Sequence, residues 1–286
     1  MARRDEMNIR HIIYLTIGLV VLVPLLVPLR LPVKIMYPVQ HLFDTIEDID
    51  IEKKGIIISV DYEPGGQPEV HPITIALLRH AFARRIKVGI LTNYLQGLGL
   101  AEDAIRTVVG EFNLRATSGE DSVIYGRDYA FFGWQYPALV PILGMGESIV
   151  KVFPQDYYGN RLDTLPIMAR MRNYNDVGIL VSISSSGYPA TYIAYAQNRY
   201  GVKIGAGVTA VYGADMYVYL QSGQLSGFIP GMKGGAEYEE LVEKRLGIKG
   251  PRKATQAMSS QTAAHLLIMI FIIIGNIIYF RQRRKR

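Results

Sequence analysis

Two uncharged apolar runs stand near opposite ends of this chain, Ile12–Leu29 (IIYLTIGLVVLVPLLVPL) and Ala263–Phe280 (AAHLLIMIFIIIGNIIYF). Each approaches the roughly 20 residues that carry a helix across a bilayer core. A chain anchored twice must fold what lies between as a body held at both ends. A cleaved signal peptide is the rival reading of the first run. Its length and the absence of a small-residue cleavage motif after it favour an anchor.

The formal net charge of +6 suggests nucleic acid until the charges are located. Arg3, Arg4 and Arg10 precede the first run, and Arg281, Arg283, Arg284, Lys285 and Arg286 follow the second. These outnumber the whole excess, so the basic ends read as a topology signal. They also outnumber the inner flanking residues Arg30, Lys34, Lys249, Arg252 and Lys253. The positive-inside rule then places both termini in the cytoplasm and the intervening residues outside it. His265 and Asn276 within the second run hint at helix–helix contact and hence a homo-oligomer or other membrane-protein subunits.

Between the spans the pattern is α/β. Ile56–Val60 is an apolar run of strand length, followed by a loop with Asp61, Glu63, Pro64, Gly65 and Gly66, then Ile73, Ala76, Leu77, His80 and Ala81 at helical spacing. Lys87–Thr92 is a second buried strand and Gly97–Phe112 a second helix, a βαβ period. Val123–Trp134, crowded with aromatics, reads as either a strand or a packed loop. Ala138–Lys151 resembles a helix broken by Gly144 and Gly146, and Pro166–Met171 another short helix. Val177–Ser184 is a clear strand before the helix Ala190–Tyr200. Val202–Val208 and Leu225–Ile229 are further strands, and Lys233–Leu246 is an amphipathic helix.

The expected fold is an open, mainly parallel Rossmann-like sheet of about five or six strands with flanking helices, between two transmembrane helices. By segment, the plan is a tail (1–11), a span (12–29), a Pro-rich connector with a short helix (30–54), the α/β domain (55–246), a polar linker (247–262), a second span (263–280) and a basic tail (281–286).

Chemistry in such a sheet belongs beyond the carboxyl ends of the strands. Asp61 and Glu63 stand at the first such end. With Glu69 and His71 they form an oxygen-rich set that suits a divalent cation such as Mg²⁺ or Ca²⁺, although no recognised metal spacing is present; solvation and helix capping are the plainer account. Ser184, Ser185, Ser186 and Tyr188 follow another strand, where a βα loop can hold a small ligand. The hydrolase elbow G-x-S-x-G fails there, because Ser182 occupies the glycine position. Gly97-x-Gly99-x-x-Glu102 and Gly205-x-Gly207-x-x-Ala210 imitate the dinucleotide fingerprint. The first sets an anion where the third glycine belongs, and the second falls within a strand, so no cofactor is expected. No phosphate-binding loop is present, and with no cysteine there is no thiolate chemistry. Tyrosine is frequent, 19 residues, and concentrated in the second half without interleaved basic residues, which suits sugars, peptides or protein contacts rather than nucleic acid.

The sequence therefore predicts a membrane-anchored structural or binding subunit with an extracytoplasmic α/β domain, a scaffold or accessory part of a membrane assembly. An envelope hydrolase or transferase acting on sugar or lipid through Asp61 and Glu63 is one alternative. A small-solute sensor domain is another.

Overall fold

A computed structural model describes residues 2–27 and 34–284. The flanking cations Arg30, Lys285 and Arg286, and the end of the first apolar run at Pro28 and Leu29, lie outside the described residues, as do the side chains of Arg3 and Arg4. The chain divides into a helical pair formed by its two ends and an α/β body running to Pro251.

Helix α1 (Ala2–Leu26) and helix α11 (Lys253–Arg283) make up the pair. Pro24 sits inside α1, where it can donate no hydrogen bond, and Ser260 donates from α11 to the Val21 carbonyl at 2.7 Å. The apolar part of α11 is bare all round, with Leu266, Ile270, Ile273, Ile277 and Phe280 exposed. A helix apolar on every side belongs in an apolar medium. Among the described residues α11 is the helix long and apolar enough to cross a membrane, whereas the apolar part of α1, Arg10–Leu26, is shorter. Two segments differ from expectation. The tail before Ile12 is already helical from Ala2, and the polar stretch read as a linker is helical from Lys253. Ala, Gln and Met are good helix formers, so a helix propagates through residues that show no apolar periodicity.

The body begins with α2 (Tyr37–Glu47), then β1 (Gly55–Asp61), α3 (Gln67–Ala83), β2 (Val88–Thr92), α4 (Gly97–Asn113) and β3 (Tyr129–Trp134). Short helices α5 (Leu139–Gly144) and α6 (Ile149–Val152) follow, with 3₁₀ turns including Pro166–Arg170. Then come β4 (Val177–Ser184), α7 (Tyr188–Tyr192), which runs through a π turn into α8 (Asn198–Tyr200), β5 (Ile204–Val208), α9 (Ala210–Gln221), β6 (Phe228–Pro230) and α10 (Gly231–Leu246). The six strands form one all-parallel sheet in the order β3-β2-β1-β4-β5-β6. The order reverses between β1 and β4, so these two central strands flank the topological switch point.

Alternation along the strands fills two cores. Ile56, Ile58, Val60, Ile179, Val181 and Ile183 face α2, α3, α4 and α10. Ile57, Leu180, Ile204, Ala206 and Val208 face the opposite layer. Gly205 and Gly207 alternate with those β5 residues, and a Cβ on them would approach Leu42 Cδ1 to 2.6 Å and Ile73 Cγ2 to 2.9 Å. The glycines that imitate a nucleotide fingerprint thus seat α2 and α3 against the sheet. Helix α9 was invisible in the sequence because its apolar residues show no helical stripe, yet parallel β5 and β6 require a crossover there.

Candidate functional site

The layer that buries Ile57 and Leu180 turns polar toward the carboxyl edge of the same strands. Ser59 and Asp61 continue the Ile57 side of β1, and Ser182 and Ser184 continue the Leu180 side of β4. Parallel register sets Ser59 beside Ser182 and Asp61 beside Ser184. The neighbouring strand β2 ends at Thr92, which brings Asn93 to the other flank. Tyr192 of α7 covers the group.

Asp61 is completely buried. Its Oδ1 accepts from Ser59 Oγ (2.8 Å), the Asn93 backbone N–H (2.9 Å) and Asn93 Nδ2 (2.9 Å), and its Oδ2 accepts from Ser182 Oγ (2.8 Å). Tyr192 Oη lies 2.9 Å from both Ser59 Oγ and Asn93 Nδ2. Burial raises the carboxyl pKa from its ordinary 3.8 to about 6, and the four donors oppose that rise. Burial likewise pushes the Tyr192 hydroxyl well above its usual range, with the Asp61 charge adding to it. The network therefore holds a carboxylate whose oxygens are occupied, and it pins the loop after β2 to β1 and β4. The Asn93 Oδ1, in a residue that is 6% exposed, has no hydrogen-bond partner among the described residues.

Above this layer lies a rim. Ser184 Oγ donates to the Asp61 carbonyl (3.1 Å) and accepts from the Ser186 backbone N–H (3.0 Å), with Ser186 Oγ at 3.1 Å. Tyr94 Oη donates to Ser186 Oγ at 3.4 Å, its ring meeting Tyr188 edge-on at 5.3 Å between centroids. The Asn93 carbonyl receives Tyr188 Oη (3.4 Å) and Trp134 Nε1 (3.3 Å). Gly66 approaches Ser185 so closely that a Cβ would sit 2.8 Å from the serine Cβ, which seals the loops after β1 and β4 together.

The predicted residues meet only in part. Asp61, Ser184, Ser186 and Tyr188 share one hydrogen-bonded assembly, and Ser185 lies at the closed seam against Gly66. The four residues read as a cation set disperse. Glu63 is exposed. Glu69 Oε1 accepts from the Ala210 backbone N–H at 2.7 Å, at the start of α9. His71 Nδ1 pairs with Tyr62 Oη at 2.8 Å, and its Nε2 lies 3.3 Å from Asp103. Tyr62 belongs to the opposite core from the Asp61 layer, because consecutive strand residues point to opposite faces. Among the described residues no group of three or more His, Asp or Glu is arranged to hold a metal ion.

Sequence reasoning missed Ser59, Asn93, Ser182 and Tyr192. A signal for three of them was present: polar residues at alternate positions in apolar strands, Ser59-x-Asp61 and Ser182-x-Ser184, and Asn93 directly after a third strand. No protein-family model, no curated protein and no solved structure matches this chain.

Proposed function

We propose that this chain is a membrane-anchored binding subunit, with α1 and α11 as its two spans, both termini in the cytoplasm and the α/β body outside it. It acts as a scaffold or accessory part of a membrane assembly, as a homo-oligomer or with other membrane-protein subunits. The observation that carries a binding role is Asp61. Fully buried, with both oxygens taken up by four donors, it organises loops at the switch point and is not offered to a substrate. Rigid loops over a fully hydrogen-bonded carboxylate suit recognition.

Two measurements test this. The natural chain has no cysteine, so single Lys53→Cys and Arg284→Cys variants can be probed with a membrane-impermeant thiol reagent in intact cells. Labelling at position 53 alone is expected, and labelling at 284 alone overturns the topology. In mild detergent, a discrete homo-oligomer or co-purifying subunit is the expected state, and a monomer without partners refutes the scaffold role.

A small-solute sensor is the second reading, favoured by the buried and unpartnered Asn93 Oδ1. Such an acceptor is costly unless a donor reaches it. An Asn93→Asp variant that keeps its fold but loses a co-purifying solute would favour the sensor over the scaffold.

A further inference from the structure

A concavity lies at the β3 edge of the sheet, built by a different device from the Asp61 network. Between β2 and β3 the register slips: Ile90 pairs with Phe131 and Leu91 with Gly133, leaving Phe132 as an extra residue. Gly133 takes φ +93°, a conformation open to glycine and strained for other residues. A bulge of this kind re-aims the side chains that follow it. Those side chains are Trp134 and Gln135, which line a cavity of about 630 Å³ together with Phe153, Gln155, Tyr157 and the Arg161–Asp163 pair.

The facing wall is held rigid. Tyr157 donates its backbone N–H to the Phe131 carbonyl at 2.8 Å, and Gln155 bridges Arg161 in antiparallel fashion, so the loop covers the free edge of β3. Asp156, buried beneath it, gathers the backbone N–H groups of Tyr158 (2.9 Å) and Asn160 (2.8 Å), the Asn160 amide (3.0 Å) and the Tyr125 hydroxyl. The Tyr157 ring packs on Phe131 at 4.5 Å between centroids. Preformed walls lower the ordering cost of binding.

The chemistry of the lining selects the occupant. Aromatic carbon from Trp134, Tyr157 and Phe153 stands beside planar polar groups, two glutamines and a guanidinium–carboxylate pair. Arg161 reaches Asp163 with two hydrogen bonds, 3.1 and 2.6 Å, so its charge is already matched. Asp156 leaves the cavity with an acidic excess, which disfavours phosphates and carboxylates. What fits is an uncharged ring with an apolar face and hydroxyls around its edge. The volume lies within the roughly 300–1,000 Å³ of small-molecule sites.

We propose that this cavity binds a neutral saccharide, its apolar face toward the aromatic residues and its hydroxyls toward Gln135, Gln155 and the Arg161–Asp163 pair. Of its lining residues, Trp134 also touches the Asp61 assembly, through its Nε1 bond to the Asn93 carbonyl, and the proposal does not depend on the scaffold role.

Trp134 is the single tryptophan of the chain, so its emission reports on the cavity directly. The full chain, held in a polyoxyethylene detergent that carries no sugar head group, is titrated with maltose, cellobiose, N-acetylglucosamine and inorganic phosphate. A saturable change with at least one of the sugars and none with phosphate is expected. Arg161→Ala, at an exposed position, should weaken that sugar at least about tenfold with the melting temperature unchanged. Should that variant not fold, Gln155→Ala carries the same expectation. The proposal is overturned if no sugar changes the emission through about 10 mM, a range that fills even a millimolar site. It is equally overturned if phosphate acts in place of the sugars, or if the folded variant binds sugar as the natural chain does.

Discussion

Replacing Asp61 by Asn keeps the shape of the buried network and removes its charge. The amide oxygen can still accept from Ser59 and from both Asn93 donors, and the amide nitrogen can donate to Ser182, whose hydroxyl accepts as readily as it donates. What disappears is a carboxyl whose folded pKa is raised from 3.8 to about 6, a difference worth about 3 kcal/mol between its two protonation states. For a raised carboxyl, the folded state binds the proton more tightly than the unfolded chain. Its contribution to stability is therefore fully present below pH 3.8 and is lost as pH rises through about 6. Relative to the natural protein, Asp61→Asn should gain stability across that window and reach about 3 kcal/mol by pH 7.5. At about 2–4 °C per kcal/mol for a body of this size, melting curves in detergent from pH 4 to 8 resolve the effect. A stability difference between the two proteins that stays constant over that range refutes the reasoning. It would mean that the four hydrogen bonds outweigh burial and hold Asp61 ionised throughout. Asp61→Ala makes the complementary case, since it strands the Asn93 N–H and two serine hydroxyls, at about 1–3 kcal/mol for each group that finds no new partner.

His80 provides a pH response of the opposite sign. Buried between Tyr238 Oη (2.7 Å) and Glu47 (2.8 Å), its pKa is lowered by burial from 6.5 to about 4. Its contribution is complete above pH 6.5 and is lost as pH falls toward 4, about 3 kcal/mol in all, so the acid slope should steepen in Asp61→Asn and reverse in His80→Gln, by urea unfolding at pH 4 to 7. Arg79 grips Glu111 through two hydrogen bonds (2.8 and 2.7 Å) and reaches the Pro251 carbonyl at 2.9 Å. Arg79→Ala should cost about 3–5 kcal/mol, whereas Arg79→Met combined with Glu111→Leu should recover most of that loss in the same unfolding assay. Gly205→Val should lower stability by about 1–3 kcal/mol or more, since its Cβ would meet Leu42 Cδ1 at 2.6 Å; an unchanged melting temperature would show that α2 is not seated on β5 in solution.

Much of the architecture follows from local pattern. Ile56–Val60 and Val177–Ser184 are apolar runs of strand length that open into polar loops, and burial on both faces of a parallel sheet demands that composition. The long apolar run of α11 is equally plain, because an uncharged stretch of that length is a property of the chain itself. Where local signals conflicted, packing decided. Val123–Trp134 became strand only from Tyr129 onward, where β2 and the Tyr157 loop supply partners on both sides. The glycines of β5 were readable as a motif, yet their meaning lay in Leu42 and Ile73, residues distant in sequence.

The site divides along the same line. Sequence alone placed Asp61 and Ser184–Ser186 at strand ends, since a loop after an apolar run marks the carboxyl edge of a sheet. Only the tertiary structure decided that β1 lies between β2 and β4, and therefore that Asn93, Ser182 and Tyr192 close around Asp61. It also sent Asp61 and Tyr62 to opposite faces, which scattered the acidic set that the loop had seemed to gather. Strand order is set by the packing of whole layers, and no short stretch of chain contains it.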